Sequence, residues 1–401
     1  MAGSGTPADP YRIGDQRELQ AMAADLDASY RLTADIQLDS STAPVSAAEN
    51  GGNFLSIGNK ESQFSGDLDG DGHRISNLSV DKPDLVYQGM FGQTNGAVIR
   101  DLRLVNASVK GDSHAGLVAR QSENTMFENI SVNGTVDTEW GSVGSVVGQV
   151  AGGKIENISA DATLSGKVMI GGIVGHADRV IIQDAQTSGT LNVVNRGGGI
   201  AGTLSYDAAL ENASSDASVV GWRSVGGLVG VTYGTVANST ASGYITGTRA
   251  ASPHQRGVGG LAGALYGRIE NSRATGDVEG IEHVGGLVGY AEGIMSRSTA
   301  EGAVIGESAV GGLVGTLQAE SPSSSAEIRD STSKGDVSGT TLVGGVAGSR
   351  GEYATNTSNT ALGAVTGDER VGDRFGNENQ ISEWIAQQET NEGQLAMMAG
   401  T

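Results

Sequence analysis

A four-residue phrase, Gly-(Leu/Ile/Val)-(Val/Ala)-Gly, returns along this chain at a nearly fixed interval, and that return constrains the fold more than any other feature. Clear copies open at Gly172, Gly199, Gly227, Gly260, Gly286, Gly312 and Gly345, with degenerate ones at Gly89, Gly116 and Ser145. Successive starts are 27, 29, 27, 27, 28, 33, 26, 26 and 33 residues apart. A period in this range marks stacked structural units rather than separate globules.

A second element follows each copy, as in Ile269-Glu270-Asn271-Ser272-Arg273-Ala274-Thr275-Gly276-Asp277-Val278. With Asn271 as reference, one column holds Asp101, Asn129, Asn157, Asp184, Asn212, Asn238, Asn271, Arg297, Asp330 and Ser358. Two residues earlier the column is apolar (Ile99, Phe127, Ile155, Ile182, Leu210, Val236, Ile269, Met295, Ile328), and so it is seven residues later (Val136, Leu164, Leu191, Val219, Ile245, Val278, Val304, Val337, Val365). Apolar identity by column means that each side chain stacks on its counterpart one repeat away. Each repeat holds two or three short strands of alternating pattern, with glycine at the bends. One repeat cannot bury its apolar edge alone, whereas stacked repeats share a continuous core.

The expected fold is all-β: a right-handed parallel β-helix, or β-solenoid, of about ten coils with short helical caps at both ends. At about 4.8 Å per coil the rod is roughly 50 Å long. Residues 1–40 read as an N-terminal cap with a short helix and the first strands, 41–366 as the solenoid and 367–401 as a C-terminal cap or tail. Asp15 and Glu18 form a capping box ahead of an apolar stripe of Leu19, Met22, Ala23 and Leu26. Ile381, Trp384, Ile385, Leu395 and Met398 suggest amphipathic helices within residues 379–399, placed over the last coil because an open strand edge invites aggregation.

Composition agrees with a thin rod. Glycine numbers 64 of 401 residues and proline 6, without a collagen triplet, and only 37% of residues are hydrophobic. The net charge of −21 repels nucleic acid and anionic headgroups. The absence of cysteine removes disulfides, thiolate zinc sites and thiol catalysis. No run of about 18 apolar residues spans a membrane. The opening Met-Ala-Gly-Ser-Gly-Thr lacks the basic and apolar regions of a signal peptide, and the reading adopted is an extracellular or cell-surface protein whose leader has been trimmed.

These repeats, with their downstream Ile-x-Asn-Ser-x-Ala-x-Gly-x-Val, resemble GLUG-motif repeat proteins. The stretches Asp9-Pro10-Tyr11-Arg12-Ile13, Tyr30-Arg31-Leu32-Thr33-Ala34-Asp35-Ile36-Gln37-Leu38 and Phe64 to Leu78 are similar to the N-terminal approach of those domains. The resemblance covers roughly residues 5–366 and leaves the last 35 outside. It implies large secreted or surface-attached microbial proteins, among them adhesins and segments beside immunoglobulin A peptidases, and it implies flanking domains but no catalytic residue within the repeat.

Candidate chemistry is sparse. The Asn/Asp column reads as a structural ladder that satisfies backbone groups at a coil corner, least usable at Arg297 and Ser358. It generates four of the eight Asn-x-Ser/Thr sequons, at Asn129, Asn157, Asn212 and Asn238. Asp67, Asp69 and Asp71 before Gly72 begin a calcium-loop pattern, but Leu78 stands where a bidentate glutamate is needed; the GLUG resemblance implies a turn between two strands here, and no cofactor is assigned. His73, His114, His176, His254 and His283 are scattered and fit no catalytic motif. Aromatic alignment is the stronger pointer. Trp140 and Trp222 each stand five residues before the motif, three coils apart, and Tyr233 and Tyr266 each stand six residues after it on adjacent coils. Coils stretched to 33 residues carry loops near 248–256, with Arg249 and Arg256, and near 317–327. The duller reading of the aromatics is packing beneath a loop.

The functional expectation is a non-enzymatic binding, adhesion or spacer module, its ligand a host or cell-surface glycan or protein held at Tyr233, Tyr266, Arg249, Arg256, Trp140 and Trp222, with Tyr233, Tyr266 and the 248–256 loop converging on one face. The alternatives are a polysaccharide-acting β-helix lyase or hydrolase, and a filament or assembly subunit. The in/out register is open to direct test. Val278→Asp places an unpaired charge in a stacked core and should destabilise by several kcal/mol, whereas Thr275→Asp on the outer face should stay within about 0.5 kcal/mol in denaturant unfolding. Equal losses would mean that the register is wrong.

Overall fold

The strands pair in parallel with those one coil away, in register except for one shift between Val132 and Gly134, over the length that the computed structural model describes (residues 1–44, 52–81, 88–248, 257–319, 321 and 326–367). The result is a parallel β-solenoid of about ten coils. Phe127 lies opposite Ile155, and the column continues through Ile182, Leu210, Val236, Ile269, Met295 and Ile328. A second column runs from Val136 through Leu164, Leu191, Val219, Ile245, Val278, Val304 and Val337. The side chains of both are buried to within 1% of full enclosure. Thr275 lies half-buried on the outer side, as alternation requires.

The Asn/Asp column is a corner. From Asp101 to Ser358 all ten of its residues hold a positive φ between 49° and 56°, a left-handed conformation that asparagine and aspartate tolerate better than other non-glycine residues. The bend inserts one extra residue into the alternation, so that Phe127 and Ile130 both point inward although they are three apart. The side chains do not satisfy backbone groups as the sequence suggested. They bond to one another: Asn129 Nδ2 donates to Asp101 Oδ1 at 3.0 Å and Asn157 Nδ2 to Asn129 Oδ1 at 2.6 Å. Arg297 is no weak point either, because it keeps the same φ and its Nε donates to Asn271 Oδ1 at 2.8 Å.

The backbone is satisfied by the next residue. In the later coils this is a buried serine whose hydroxyl donates to a carbonyl two residues back, as Ser298 does to Ser296 at 2.9 Å. The same oxygen accepts the amide of the previous coil's serine: Ser239 to Ser272, Ser272 to Ser298 and Ser298 to Ser331, at 3.1–3.2 Å. Earlier coils carry Ile130, Ile158 and Ala185 there, and their strands, such as Ala119–Thr138, run through the corner unbroken.

The motif glycines have a steric reason. A Cβ on Gly227, Gly260, Gly286 or Gly312 would run into the carbonyl oxygen of the corresponding glycine one coil on. The Leu, Ile or Val that follows is fully buried in each copy, from Leu117 to Val346. At the N-terminal end the first strands, Tyr11–Ile13 and Ser29–Leu32, already belong to the ladder. The helix Gln16–Ala21 is capped by Asp15, which accepts from the Glu18 amide, while Glu18 reaches back to the Gly14 amide at 2.8 Å. Leu19 and Met22 are buried beneath it, but Ala23 faces outward. Tyr11, Tyr30, Phe64 and Phe91 continue inside as an aromatic column with centroids 4.7–6.3 Å apart. The C-terminal helices expected within 379–399 lie outside the described residues.

Ser298→Ala should cost about 1–3 kcal/mol, because it strands the buried Ser272 amide without an acceptor. Thr299→Ala, one residue further along on the outer side, should cost no more than about 0.5 kcal/mol. Urea unfolding of the two variants measures the difference, and equal losses would remove the serine from this role.

Candidate functional site

The corner that follows each glycine motif carries tyrosines on three successive coils, of which Tyr206 is exposed and Tyr233 and Tyr266 are half-buried. Tyr233 and Tyr266 stack with ring centroids 4.7 Å apart and planes within 11°. A third ring, Tyr206, extends the stack at 5.0 Å and a tilt of 42°, with 75% of its surface exposed. Sequence spacing missed it because Tyr206 stands seven residues after its motif rather than six. The pairings explain the slip. Leu204 and Ala209 of one coil lie opposite Thr232 and Thr235 of the next, so Ser205–Ala208 occupies the space that Tyr233-Gly234 occupies above. Glu292 continues the corner one coil beyond Tyr266, and its carboxylate accepts from the Tyr290 hydroxyl at 2.6 Å.

The tryptophans belong to a different corner. Trp140, Lys167, Val194 and Trp222 follow one another on successive coils. Lys167 bridges Trp140 and Glu139: its Nζ sits 4.2 Å from the indole centroid and 2.6 Å from a Glu139 carboxylate oxygen. Trp222, two coils on from Lys167, lines an open cleft of about 270 Å³ with Asn192, Val194 and Thr248. Arg249, Arg256 and the body of their loop lie outside the described residues. Its two ends emerge beside Trp222: the Thr248 amide donates to Gly221 at 2.8 Å and the Gly257 carbonyl accepts from Val225 at 3.1 Å. Strands Val258–Gly259 and Ala262–Leu265 separate this corner from Tyr266, so the loop and the tyrosines do not spring from one place as expected.

The aspartates of the calcium-like stretch are engaged within the protein. Asp69 Oδ2 accepts from Arg100 at 2.8 Å and lies 3.2 Å from Arg31, while its Oδ1 accepts the Asp71 amide at 2.9 Å. Asp67 accepts from the Ser29 hydroxyl at 3.2 Å. Asp71 and Gly72, with φ of 47° and 77°, make the turn between the two strands. No group of three or more His, Cys, Asp or Glu residues able to hold a metal occurs among the described residues. The Asn129 and Asn157 amide nitrogens, which a glycan would need, are committed to the corner ladder.

Several charged groups on the outer strands are paired rather than poised. Glu301 bonds to Arg273 and, at 2.7 Å, to Lys334, and these two hold its carboxyl below the usual range. His254 lies outside the described residues, and His73 pairs with Asp35 at 3.4 Å. Burial pushes the other three imidazoles down: His176 bonds to Ser205, His283 to Thr316, and His114 accepts the Ser142 amide at 2.7 Å. For His114 the fall is to about 4, through burial first and then the nearby Arg120 and His176.

The match to known families rests on the same repeats. The family model described as the GLUG motif matches residues 254–279 and 306–338, so two stretches of the repeat array carry that motif. Halomucin of Haloquadratum walsbyi is 42% identical over 153 residues, which is 36% of this chain and 2% of halomucin. An immunoglobulin A1 protease of Streptococcus sanguinis is 24% identical over 227 residues, 53% of this chain and 12% of that protein. The matched stretch is thus a small part of either relative. Among solved structures, a Bacteroides ovatus protein assigned as an immunoglobulin A1 protease is 19% identical with a TM-score of 0.41, covering 73% of this chain and 77% of that one.

The histidines give a pH dependence with a definite sign. His114 has a folded pKa of about 4 against an ordinary 6.5, so the unfolded chain binds its proton first. Its stabilising contribution is complete above pH 6.5 and is lost as the pH falls from there toward about 4. Tm measured across that window should drop less steeply in His114→Gln, which keeps an acceptor for Ser142. An unchanged slope would show that His114 does not titrate on unfolding.

Proposed function

We propose that this solenoid is a non-enzymatic binding module of an extracellular or cell-surface protein, which also acts as a spacer and holds its ligand on an outer corner. The observation that carries this reading is the stack of Tyr206, Tyr233 and Tyr266, three rings on successive coils at the surface of a rigid rod. Tyrosine combines a large apolar face with a polar tip and is favoured where a surface recognises a partner. The in-register ladder fixes the spacing of the rings before any ligand arrives, which lowers the entropic cost of binding. The GLUG resemblance supports a surface location, and with it a glycan or protein partner on a neighbouring cell or host. Glu301, held by Arg273 and Lys334, and Asp69, held by Arg31 and Arg100, are engaged in ion pairs, which suits recognition better than acid–base turnover.

A glycan array run beside a reducing-end release assay tests the proposal. Retention of one or a few glycans without release of new reducing ends is the expected result. Release of reducing ends from any bound polysaccharide would replace this reading with that of a β-helix lyase or hydrolase.

A further inference from the structure

Resting on that binding-module reading, we infer that the outward face of Tyr206 is the stacking surface for a neutral hexopyranose unit, with Asp207 and the Asp178–Arg179 pair as its polar contacts. Two rings 4.7 Å apart and 11° from parallel must oppose their faces, because side by side they would overlap. Tyr233 and Tyr266 therefore cover one another, and Tyr206 covers the remaining face of Tyr233. The tyrosine corner is thus a column of rings seen edge-on, and a planar ligand finds an open face at its Tyr206 end.

The local chain explains why this ring stands clear. The four residues Ser205–Ala208 fill a corner that the next coil turns with two, and the Ala208 amide closes the turn on the Ser205 carbonyl at 3.1 Å. On the preceding coil Asp178, Arg179 and Val180 make the same corner, between Ala177 and Ile181. Arg179 holds a φ of 49°, its side chain is 65% exposed, and its guanidinium lies 3.2 Å from Asp178.

A carbohydrate fits this chemistry. The C–H face of a hexopyranose packs on an aromatic ring, while the hydroxyls at its rim need an acceptor and a donor side by side, as a carboxylate and a guanidinium provide. Charge selects the class. Asp178, Asp207 and Glu292 outnumber Arg179 along this corner, in a chain of net charge −21, so uronate or sialylated chains are repelled.

Isothermal titration of the full chain with cellohexaose, chitohexaose, mannohexaose and hexagalacturonate provides the test. At least one neutral hexamer should bind and hexagalacturonate should not. Tyr206→Ala should weaken binding about tenfold or more with an unchanged Tm, Tyr206→Trp should restore it, and Tyr353→Ala, at an exposed tyrosine on a distant coil, should leave it intact. A neutral sugar that binds Tyr206→Ala as tightly as the parent overturns this site while the binding-module reading stands. Tighter binding of hexagalacturonate overturns the assignment of class. Silence of the parent protein toward all four overturns the inference, and a silent glycan array besides would overturn the glycan reading of the module with it.

Discussion

Everything in this structure depends on the parallel hydrogen-bond ladder between coils, which sets neighbouring backbones about 4.8 Å apart and in register. That spacing is too short for unlike side chains to share a column easily. An inward column must therefore be apolar from end to end, as from Phe127 to Ile328. It also forces the glycines of the motif, because the oxygen of one coil occupies the place that a Cβ on its neighbour would take. The core is a stack of a few inward columns, and stability accumulates coil by coil rather than in a central globule.

A ladder of this kind must turn corners without leaving polar groups unpaired. The Asn/Asp corner does so in two steps, with a left-handed residue to make the bend and a serine beside it to carry hydrogen bonds from coil to coil. The division of labour is physical. A side chain at the bend points outward, where it meets its counterparts and neighbouring polar side chains, whereas the next residue points inward and, where it is serine, meets the backbone amides.

Outer corners are free of these demands, and there the chain differs from coil to coil. Residues that face solvent pay little for variation, so Asp178-Arg179, Tyr206, Tyr233, Tyr266 and Glu292 succeed one another on a single edge. A rigid rod with a variable edge displays chemistry at spacings fixed by the ladder, and the tyrosine stack is such a display. The tryptophan corner is a second edge, where Lys167 already occupies one face of Trp140.

The sequence by itself determined the period, the parallel stacking, both inward columns and the position of the Asn corner, because each is a repeated local pattern whose steric or polar reason lies in the residue type. Tertiary structure alone decided the rest. A second left-handed corner passes through Arg196, Ser224, His283, Ala309 and Leu342, and no residue preference marks it, because the packed coils on either side impose the bend. The place of Tyr206 in the stack was hidden by a longer turn, since motif counting measures distance along the chain and the ladder aligns positions across it. The aromatics, the inserted loop and its arginines converge on one face in the sequence reading, but the described residues at the two ends of the 248–256 loop lie beside Trp222, because two strands carry the chain from that corner to Tyr266.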